Sequence, residues 1–426
     1  MGCTPAAYPL LFRFATPRQE PHSKRMLELE DALQRILEVI PQPIPELVPL
    51  AEATGRALLE PIFSPIDLPP FDNSAIDGYA VRAEDVAKAN VESPISLRLQ
   101  GRVAAGETFT ARLEQGACIR LFTGSPLPHG ADAAIMQEDT RVDAARPEQI
   151  LILDRAKPLD NVRLRGGDIK MGDSLGRSGE LLGIGLTSLL AASGTKKVVV
   201  GRRPTVGVLA TGSELREAGQ PLAAGEIYES NRVALASLLT RAGCVARIFP
   251  LVADVPDAVR SSLEQALQEC DAIVTSGGVS VGELDFIKSA FEAAGGELQF
   301  WRVAIKPGRP FVFGRYAGKF LFGLPGNPVS AFVTFLLLVR PAVLRWQGFR
   351  DISLPAHPGI LAEVMSNRGS RRHFLRVKMD PGGNVSSAGI QASHVLSSLA
   401  AANGLLDVPP ETTLPVGTAV QVMMWE

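Results

Sequence analysis

The sequence predicts a multi-domain protein of the α/β plus β class. A doubly wound α/β domain is predicted to accompany an inserted β-rich domain, a small helical linking domain and a C-terminal β-barrel. Two observations support this. Apolar strands alternate with amphipathic helices between residues 204 and 345, whereas short strands separated by Gly and Pro turns fill 65–165 and 350–426. The chain of 426 residues is long enough for about three domains.

The predicted domain boundaries follow these changes in the pattern of strands, helices and Gly or Pro turns. Residues 26–64 and 166–203 form a discontinuous linking domain, 65–165 the β-rich insertion, 204–345 the α/β domain and 350–426 a compact β-barrel or sandwich. In the linking domain, amphipathic helices at 29–40 and Leu50–Leu59 are predicted to pack against an apolar helix at Leu181–Ser193. Residues 1–25 are interpreted as a loose extension, with a transit peptide as the alternative.

A glycine-rich turn is the centre of the predicted α/β domain. The apolar strand Ala272–Thr275 is followed at once by Ser276, Gly277 and Gly278, and a helix is predicted to start near Glu283. A strand, a glycine turn and a helix N-terminus together direct backbone N–H groups toward a ligand, which favours an anion. The alternative is a tight connection that binds nothing.

Three further strands of this domain end in comparable turns. They are Val206–Ala210 before Thr211-Gly212-Ser213-Glu214, Val245–Val252 before Asp254, and Lys319–Phe322 before Pro325-Gly326-Asn327-Pro328. Asn327 is predicted to cap a helix that begins at Pro328. Because parallel strands bind ligands at their carboxyl ends, these turns predict one site along one edge of the sheet.

Both signs of charge are expected at that edge. Lys306 and Arg309 flank a Pro-Gly turn and suit an oxyanion, although a hairpin tip with two solvated cations is the alternative. The acids Glu214, Asp254 and Asp285 would repel an anionic ligand unless a divalent cation intervenes. Mg²⁺ commonly bridges carboxylates to substrate phosphates, although each acid can also serve as a helix cap.

Two polar turns of the β-rich insertion add further candidates. PPFDNSAIDGYAV (69–81) contains Asp77, and FTGSP (122–126) contains Thr123. Taken alone, each is interpreted as an ordinary turn. Together they can form one wall of the site, which would then be closed across two domains or two subunits.

Composition excludes several classes of function. With 43 basic and 45 acidic residues the net charge is −2, so neither nucleic acid nor a membrane surface is an expected partner. The four cysteines are scattered without a CxxC pair, which predicts a reducing, cytoplasmic location and no structural metal. The longest apolar run, Ala331–Val339, is shorter than the ~20 residues of a membrane span.

Seven motifs, in order, resemble those of the molybdopterin molybdenumtransferase (MoeA) family, which includes the E domain of gephyrin. The motifs are FDNSAIDGYAVR (71–82), FTGSPLPHGADAAIMQED (122–139), LRGGDI (164–169), TGSEL (211–215), SGGVSVGELDF (276–286), AIKPGRPF (304–311) and GLPGNPVSAFVTF (323–335). The resemblance runs from about residue 28 to near the C-terminus.

The resemblance implies an L-shaped homodimer of four-domain subunits. It also implies a Mg²⁺-dependent reaction in which adenylylated molybdopterin and molybdate give molybdenum cofactor and AMP, with a molybdopterin adenylyltransferase as a candidate partner. The cleft would lie between the α/β domain of one subunit and the β-rich insertion of the other. The implied functional residues are Asp77, Thr123, Glu214, Asp254 and Asp285, with substrate contacts from Asp168, Ser276, Gly277, Gly278, Lys306, Arg309, Pro325, Asn327 and Pro328.

Three positions depart from the family pattern. Ser213 stands where many relatives have Asp, Phe286 where Tyr is frequent, and Arg309 where Lys is common. Ser213 removes a candidate metal ligand, so Glu214 must suffice there. Two other functions are weighed: a molybdopterin adenylyltransferase, disfavoured by the length and the insertion, and a peptide-binding scaffold like the gephyrin E domain, disfavoured because no second module is seen to cluster.

Overall fold

The computed structural model describes residues 26–278 and 286–425, so the predicted site residue Asp285 lies outside the described residues. The chain divides into two compact units. The first unit comprises residues 42–202 and 346–351. The second comprises the described residues 26–41, 203–278, 286–345 and 352–425.

The first described helix, α1 (Leu29–Val39), belongs to the second unit. It buries Leu29, Ala32 and Ile36, and it contacts the π-helical turn at Phe335–Val339. The prediction that this helix packs beside Leu181–Ser193 is therefore wrong, because its apolar stripe is buried elsewhere.

The first unit consists mainly of short strands. In chain order its elements are β1 (Pro45–Pro49), β2 (Ile62–Phe63), β3 (Asn73–Ser74), β4 (Gly78–Val81), α2 (Ala83–Val86), β5 (Ile95–Val103), β6 (Ala117–Leu121), β7 (Ala133–Met136), β8 (Thr140–Asp143), β9 (Arg146–Ile152), β10 (Val162–Arg163), β11 (Ser174–Gly176), α3 (Ile184–Ala192) and β12 (Lys197–Gly201). A six-stranded sheet in the order β7-β4-β6-β5-β9-β8 forms the β-rich part, and it contains the four strands predicted there.

In the rest of the first unit, β1 pairs with β12 and β2 pairs with β11. Leu50, Leu58, Leu182 and Leu190 share a buried core there, as the sequence predicted. The predicted helix at Leu50–Leu59 is wrong, however, because only Leu50–Glu52 forms a single 3₁₀ turn. The N–H groups of Gly55 and Leu58 are donated to the carbonyls of Leu182 and Glu180 instead of to their own turn. These hydrogen bonds to a distant segment of the same chain replace those of the predicted helix.

The second unit contains the α/β domain and the C-terminal strands. Its further elements are β13 (Thr205–Ala210), β14 (Leu215–Arg216), β15 (Ile227–Tyr228), α4 (Asn231–Arg241), β16 (Val245–Ile248), α5 (Pro256–Glu269), β17 (Ala272–Ser276), α6 (Phe286–Ala293), β18 (Glu297–Arg302), β19 (Ile305–Lys306), β20 (Pro310–Tyr316), β21 (Lys319–Leu324), α7 (Pro328–Thr334), α8 (Arg340–Trp346), β22 (Ala356–Leu361), β23 (Met365–Asn367), β24 (Arg372–Met379), β25 (Asn384–Ser387), α9 (Leu396–Ala400), β26 (Gly404–Val408), β27 (Thr412–Leu414) and β28 (Ala419–Met424).

The α/β sheet has the order β16-β13-β17-β21-β20-β18. Its first four strands are parallel, and Ala210, Ser276 and Leu324 lie side by side at their carboxyl ends. The chain moves from β13 outward to β16 and then crosses back to β17, so its direction reverses between β13 and β17. Such a reversal opens a crevice at the carboxyl edge, where ligands of these folds bind. The predicted doubly wound domain is confirmed.

The C-terminal strands close into a barrel. The order β24-β25-β22-β28-β26 is completed by pairing of β26 with β24, which makes five strands around a core containing Leu361, Val377, Leu406 and Val422. Closure leaves no free edge among these five strands, so the barrel is confirmed over the sandwich. The short strand β19 pairs with the start of β24 and joins the α/β domain to the barrel.

One continuous helical stretch, Pro328–Trp346, is 19 residues long and apolar enough to span a membrane by length and composition. Of an apolar 18-residue segment within this stretch, 89% is buried. Burial of this kind is also found in the core helix of a globular domain.

The cysteines of the described part, Cys118, Cys244 and Cys270, are buried. Burial raises the pKa of Cys118 and of Cys244 to about 12, and it also raises the pKa of Cys270. The thiolate form, which is the reactive one, is therefore scarce at neutral pH.

We therefore expect these three thiols to resist alkylation by iodoacetamide at pH 8 in the folded protein, because their pKa values are raised. For Cys118 and Cys244, on the order of one thiol in ten thousand would be ionised at that pH. Peptide mass spectrometry of native and urea-unfolded protein measures this for each cysteine. Native labelling of Cys118 or Cys244 at the unfolded rate would contradict the assignment.

Candidate functional site

A cleft with a volume of about 710 Å³ lies at the carboxyl edge of the α/β sheet. Its lining comes from the turns after β13, β17 and β21, from the loop after β16, and from the segment before α9. Eight predicted site residues are among those that line it: Glu214, Asp254, Ser276, Gly277, Gly278, Pro325, Asn327 and Pro328. The structure thus brings together residues that are more than a hundred positions apart in the chain.

The glycine turn after β17 is shaped by a close approach of the turn after β13. Gly277 has φ +88° and Gly278 φ +65°, and a Cβ at Gly277 would lie 2.7 Å from the Thr211 carbonyl oxygen. The Gly277 N–H is donated to the Leu324 carbonyl at 3.2 Å. This N–H is therefore unavailable to an anion, because it fastens β17 to β21, and the expectation for the other N–H groups of the turn stays a prediction.

Asn231, at the start of α4, links two of these turns and was not predicted. Its Nδ2 donates to Ser276 Oγ at 2.6 Å and to the Gly326 carbonyl at 2.8 Å. The carboxylate of Glu229 accepts the N–H groups of Asn231 and Arg232, so it caps the helix. The sequence signal was an acid and an asparagine directly before an apolar helix. Asn327, in contrast, makes no side-chain cap on α7, so that prediction is wrong.

Arg232 is buried beside the cleft and joins three segments. It donates to Glu229 at 3.0 Å, to both oxygens of Glu217 at 2.7 and 2.8 Å, and to the Phe249 carbonyl at 2.7 Å. Burial alone would lower the pKa of Arg232, but the hydrogen bonds with Glu217 and Glu229 outweigh burial and raise it. The guanidinium therefore remains charged and holds the segment around β14 and β15 in place.

Three carboxylates of the described residues line the cleft, and because Glu229 caps α4 and pairs with Arg232, Glu214 and Asp254 are the two that remain for a ligand. The N–H of Asp254 donates to Ser213 Oγ at 3.2 Å, so the serine that replaces the expected aspartate fastens the two acidic loops together. Across residues 26–278 and 286–425 no group of three His, Cys, Asp or Glu side chains is arranged to hold a metal ion. Two carboxylates still fit Mg²⁺, which completes its shell with water and substrate phosphate oxygens.

The basic turn bridges the α/β sheet and the barrel. Lys306 lies in β19, which pairs with β24, whereas Pro310 begins β20, which pairs with β18 and β21. Strands β18 and β20 are also antiparallel partners, with Arg302 opposite Pro310 and the Val303 N–H donated to the Arg309 carbonyl. Lys306 and Arg309 therefore lie in the connection of a hairpin, which agrees with the alternative prediction. Lys306 and Arg309 are exposed and do not line the cleft, although the adjacent Pro310 does.

The start of β24 adds arginines that were not predicted. Burial and the charge of Arg309 lower the pKa of Arg371, whose Nη1 donates to the Ile305 carbonyl at 2.8 Å. Burial, with the charges of Lys306, Arg376 and Arg371, lowers the pKa of His373 to about 4. Lys306, Arg309 and Arg371 are named here the basic cluster, in which Arg309 repels Arg371. They favour an anion, since an anion would relieve the repulsion.

Fully buried Arg376 supports the barrel side of the cleft. It donates to Ser398 Oγ at 2.8 Å and to the carbonyls of Ile390 and Ala392. These bonds hold the segment that carries His394 and Leu396 into the cleft lining. No hydrophobic pattern in the sequence distinguishes this arginine from those on the barrel surface.

The predicted residues Asp77, Thr123 and Asp168 belong to the first unit. Asp77 Oδ1 accepts the N–H of Thr123 at 2.7 Å and its hydroxyl at 2.8 Å. These two hydrogen bonds hold the pKa of Asp77 below its usual value, so its carboxylate remains ionised. The expectation that the two polar turns meet is confirmed. Asp168 is exposed in the turn that follows Leu164.

A parallel sheet with a polar, acidic cleft at its carboxyl edge, combined with a closed barrel and a β-rich part, defines a multidomain α/β ligand-binding protein. Comparison with known families specifies it further. Residues 27–194 match the MoeA N-terminal region (domain I and II), 207–345 match a profile described as "Probable molybdopterin binding domain", and 358–425 match the MoeA C-terminal region (domain IV).

Curated relatives and solved structures agree with these matches. The chain is 38% identical over 384 residues to the molybdopterin molybdenumtransferase of Haemophilus influenzae, covering 89% of this chain and 93% of the relative. It is 37% identical over 388 residues to molybdopterin molybdenumtransferase 2 of Mycobacterium tuberculosis, covering 90% and 95%. A crystal structure of molybdopterin biosynthesis moeA protein from Pyrococcus horikoshii OT3 is similar, with a TM-score of 0.79, 32% identity and coverage of 94% and 100%. The chain belongs to the MoeA family of molybdopterin molybdenumtransferases.

Replacing Gly277 by alanine tests the close approach of the two turns. We expect a lower melting temperature than for Gly318→Ala. Both glycines have positive φ, at +88° and +79°, but a Cβ at Gly318 meets nothing within 4 Å. Each variant carries the left-handed strain of about 1–2 kcal/mol, and only Gly277→Ala adds a contact with a backbone oxygen. Equal melting temperatures would show that the approach is not rigid.

The lowered pKa of His373 predicts a specific dependence of folding stability on pH. Its pKa falls from 6.5 in the unfolded chain to about 4 in the folded protein, so between these values only the unfolded chain binds the proton. Stability contributed by neutral His373 is present above pH 6.5 and is lost as pH falls toward 4. The urea midpoint of His373→Gln should therefore decrease less between pH 7 and pH 5 than that of the unmodified protein. His357→Gln, at an exposed barrel histidine, is the control.

Proposed function

We propose that this protein is a molybdopterin molybdenumtransferase, which inserts molybdate into adenylylated molybdopterin and releases AMP. The observation that carries the proposal is the cleft of an MoeA-family chain in which Glu214 and Asp254 line the same cavity as the Ser276–Gly278 turn. A phosphoanhydride substrate is negatively charged, and this charge must be neutralised when the substrate binds. The cavity offers Glu214 and Asp254 as ligands for a metal ion, and the basic cluster supplies further positive charge.

The basic cluster supports a role in binding the oxyanion. Arg371 is fixed by its bond to the Ile305 carbonyl, and Lys306 and Arg309 are exposed next to Pro310 of the cleft. A small tetrahedral dianion such as molybdate requires donors of this kind instead of an apolar pocket. The sulfur atoms that bind molybdenum belong to the pterin substrate, which is consistent with the buried thiols of Cys118, Cys244 and Cys270 in the described residues.

The carboxylates Glu214 and Asp254, together with Asp285, are the residues proposed to hold Mg²⁺. When bound, Mg²⁺ would polarise the phosphoanhydride by drawing charge from its oxygens. Asn231 holds Ser276 and the Gly326 carbonyl, which both line the cleft, in fixed positions. Asp77 keeps Thr123 in one orientation through two hydrogen bonds.

The working form is proposed to be a cytoplasmic homodimer in which the first unit of one subunit closes the cleft of the other. Large apolar side chains exposed on the first unit support this, including Ile184 at 80% exposure and Phe63 at 57%. Exposed apolar surface of this kind is typical of subunit interfaces. A molybdopterin adenylyltransferase is the proposed supplier of the adenylylated substrate.

Asp254→Asn should slow molybdate-dependent release of AMP from adenylylated molybdopterin by at least about 100-fold, because it weakens a ligand of the metal and a charge of the cleft. Asp257→Asn, three residues away in the exposed first turn of α5, is the matched control and should keep full activity. AMP is measured by chromatography at saturating Mg²⁺. An unchanged rate in Asp254→Asn would remove this residue from the mechanism. A parallel incubation with ATP and molybdopterin tests for adenylyltransferase activity.

A shared site predicts complementation between inactive variants. Asp77→Asn and Asp254→Asn lie in different units, so a hybrid dimer would place both changes in one cleft and leave the second cleft intact. Reassembly of an equal mixture should recover about a quarter of the unmodified activity, because half of the dimers are hybrids with one working site. Mixing Asp254→Asn with Glu214→Gln, which lie in the same unit, should recover none. Equal outcomes for both mixtures would argue against closure by the partner.

A further inference from the structure

One wall of the cleft is apolar, and none of the roles proposed above uses it. Leu215, Ile227 and Tyr228 line the cavity, with Ile227 54% and Tyr228 47% exposed. They belong to the segment 213–228, named here the flap, which contains the small parallel pair β14 and β15. Half-exposed large apolar side chains in a cleft otherwise rich in polar groups and glycines suggest a surface that a ligand covers.

The flap is fixed in place before any ligand arrives. The Ile227 N–H donates to the Glu214 carbonyl at 2.9 Å, and Arg216 forms an ion pair with Glu226. At the end of β14, Glu217 is bound through both oxygens by the buried guanidinium of Arg232. Because these contacts tie the flap to α4, its apolar face is presented to the cleft as a preformed surface.

Tyr228 has the features of a stacking platform. Its hydroxyl donates to the Gln220 carbonyl at 2.8 Å within the flap, so the polar end of the side chain is satisfied and its orientation is set. The face of the Tyr228 ring therefore stays available to a ligand, together with the aliphatic side chains of Leu215 and Ile227. Aromatic side chains held in this way bind flat heterocycles by stacking, which tolerates differences between bases.

The remaining cleft features define the rest of such a ligand. Glu214 and Asp254 suit a metal bound to phosphate, and the basic cluster adjoins the cavity at Pro310. A molecule that matches both sides carries an anionic phosphate at one end and a flat, weakly polar ring at the other. We propose that Leu215, Ile227 and Tyr228 form the binding surface for the flat nitrogen heterocycle of the substrate, with that ring stacked on Tyr228.

This inference rests on the proposed function, since adenylylated molybdopterin carries two such rings, adenine and pterin. Both share the chemistry that the flap recognises. The test therefore presents the two rings separately, as AMP and as 6-hydroxymethylpterin, each with Mg²⁺ present.

Titration calorimetry is carried out on the full chain and on four variants. Tyr228→Ser and Tyr228→Leu remove the ring, and Tyr228→Leu preserves apolar area in case the serine variant folds poorly. Tyr228→Phe keeps the ring and loses only the bond to Gln220. Leu222→Ser is the matched control, because Leu222 is an exposed apolar residue of the same flap that is not among the cleft-lining residues.

We expect removal of the ring to weaken binding of one probe by about 5- to 150-fold, the range that corresponds to loss of one stacked base. Tyr228→Phe should stay within about threefold of the unmodified protein, and Leu222→Ser should not differ from it. A loss confined to AMP assigns the ring to adenine, and a loss confined to the pterin assigns it to the pterin. Unchanged binding of both probes in Tyr228→Ser and Tyr228→Leu overturns the inference.

The outcome is separable from that of the proposed function. If the unmodified protein releases no AMP from adenylylated molybdopterin but Tyr228 variants lose AMP affinity, the transferase proposal fails and the ring subsite stands. If the unmodified protein is active and both ring-deleted variants keep their KM and their affinity for both probes, the subsite fails and the transferase proposal stands.

Discussion

The parallel register of three strands is the constraint on which the cleft depends. Ala210, Ser276 and Leu324 are direct neighbours at the carboxyl ends of β13, β17 and β21, so the turns that follow them emerge side by side. A one-residue slip would turn each buried side chain to the other face of the sheet, and every residue of these strands is buried except the first of β13 and the first of β21. Packing of the apolar strands therefore also fixes the positions of the polar turns.

Hydrogen bonds within the turns convert this register into a defined cavity. Gly277 fastens β17 to β21, Asn231 joins Ser276 to Gly326, and Ser213 holds the loop of Asp254. Arg232 binds Glu217 of the flap, and its positive charge is balanced by Glu217 and Glu229. A buried guanidinium is costly unless it is paired, and this one is fully occupied, so the polar framework is stiff where the ligand must be held.

Charges of opposite sign occupy different structural layers. The acids lie on turns of the α/β sheet, whereas Arg371 and the buried Arg376 belong to the barrel. The pairing of β19 with β24 connects the two layers and places Lys306 near Arg371 and His373. A ligand that carries phosphate and a second oxyanion can satisfy both sides, which an α/β domain without the barrel would not offer.

The sequence by itself determined the α/β domain, the β-rich part, the barrel strands and eight of the residues that line the cleft. It did so because strand periodicity, glycine turns and ordered motifs are local signals. It failed for Leu50–Leu59, where helical spacing yielded to hydrogen bonds with residues over a hundred positions away. Only the tertiary structure revealed Asn231, Arg371, Arg376 and the apolar wall at Tyr228. Their roles depend on which segments meet at one edge of the sheet. The acid and the asparagine at the start of α4 indicate where the helix begins, but no local pattern indicates that Asn231 contacts Ser276 and Gly326.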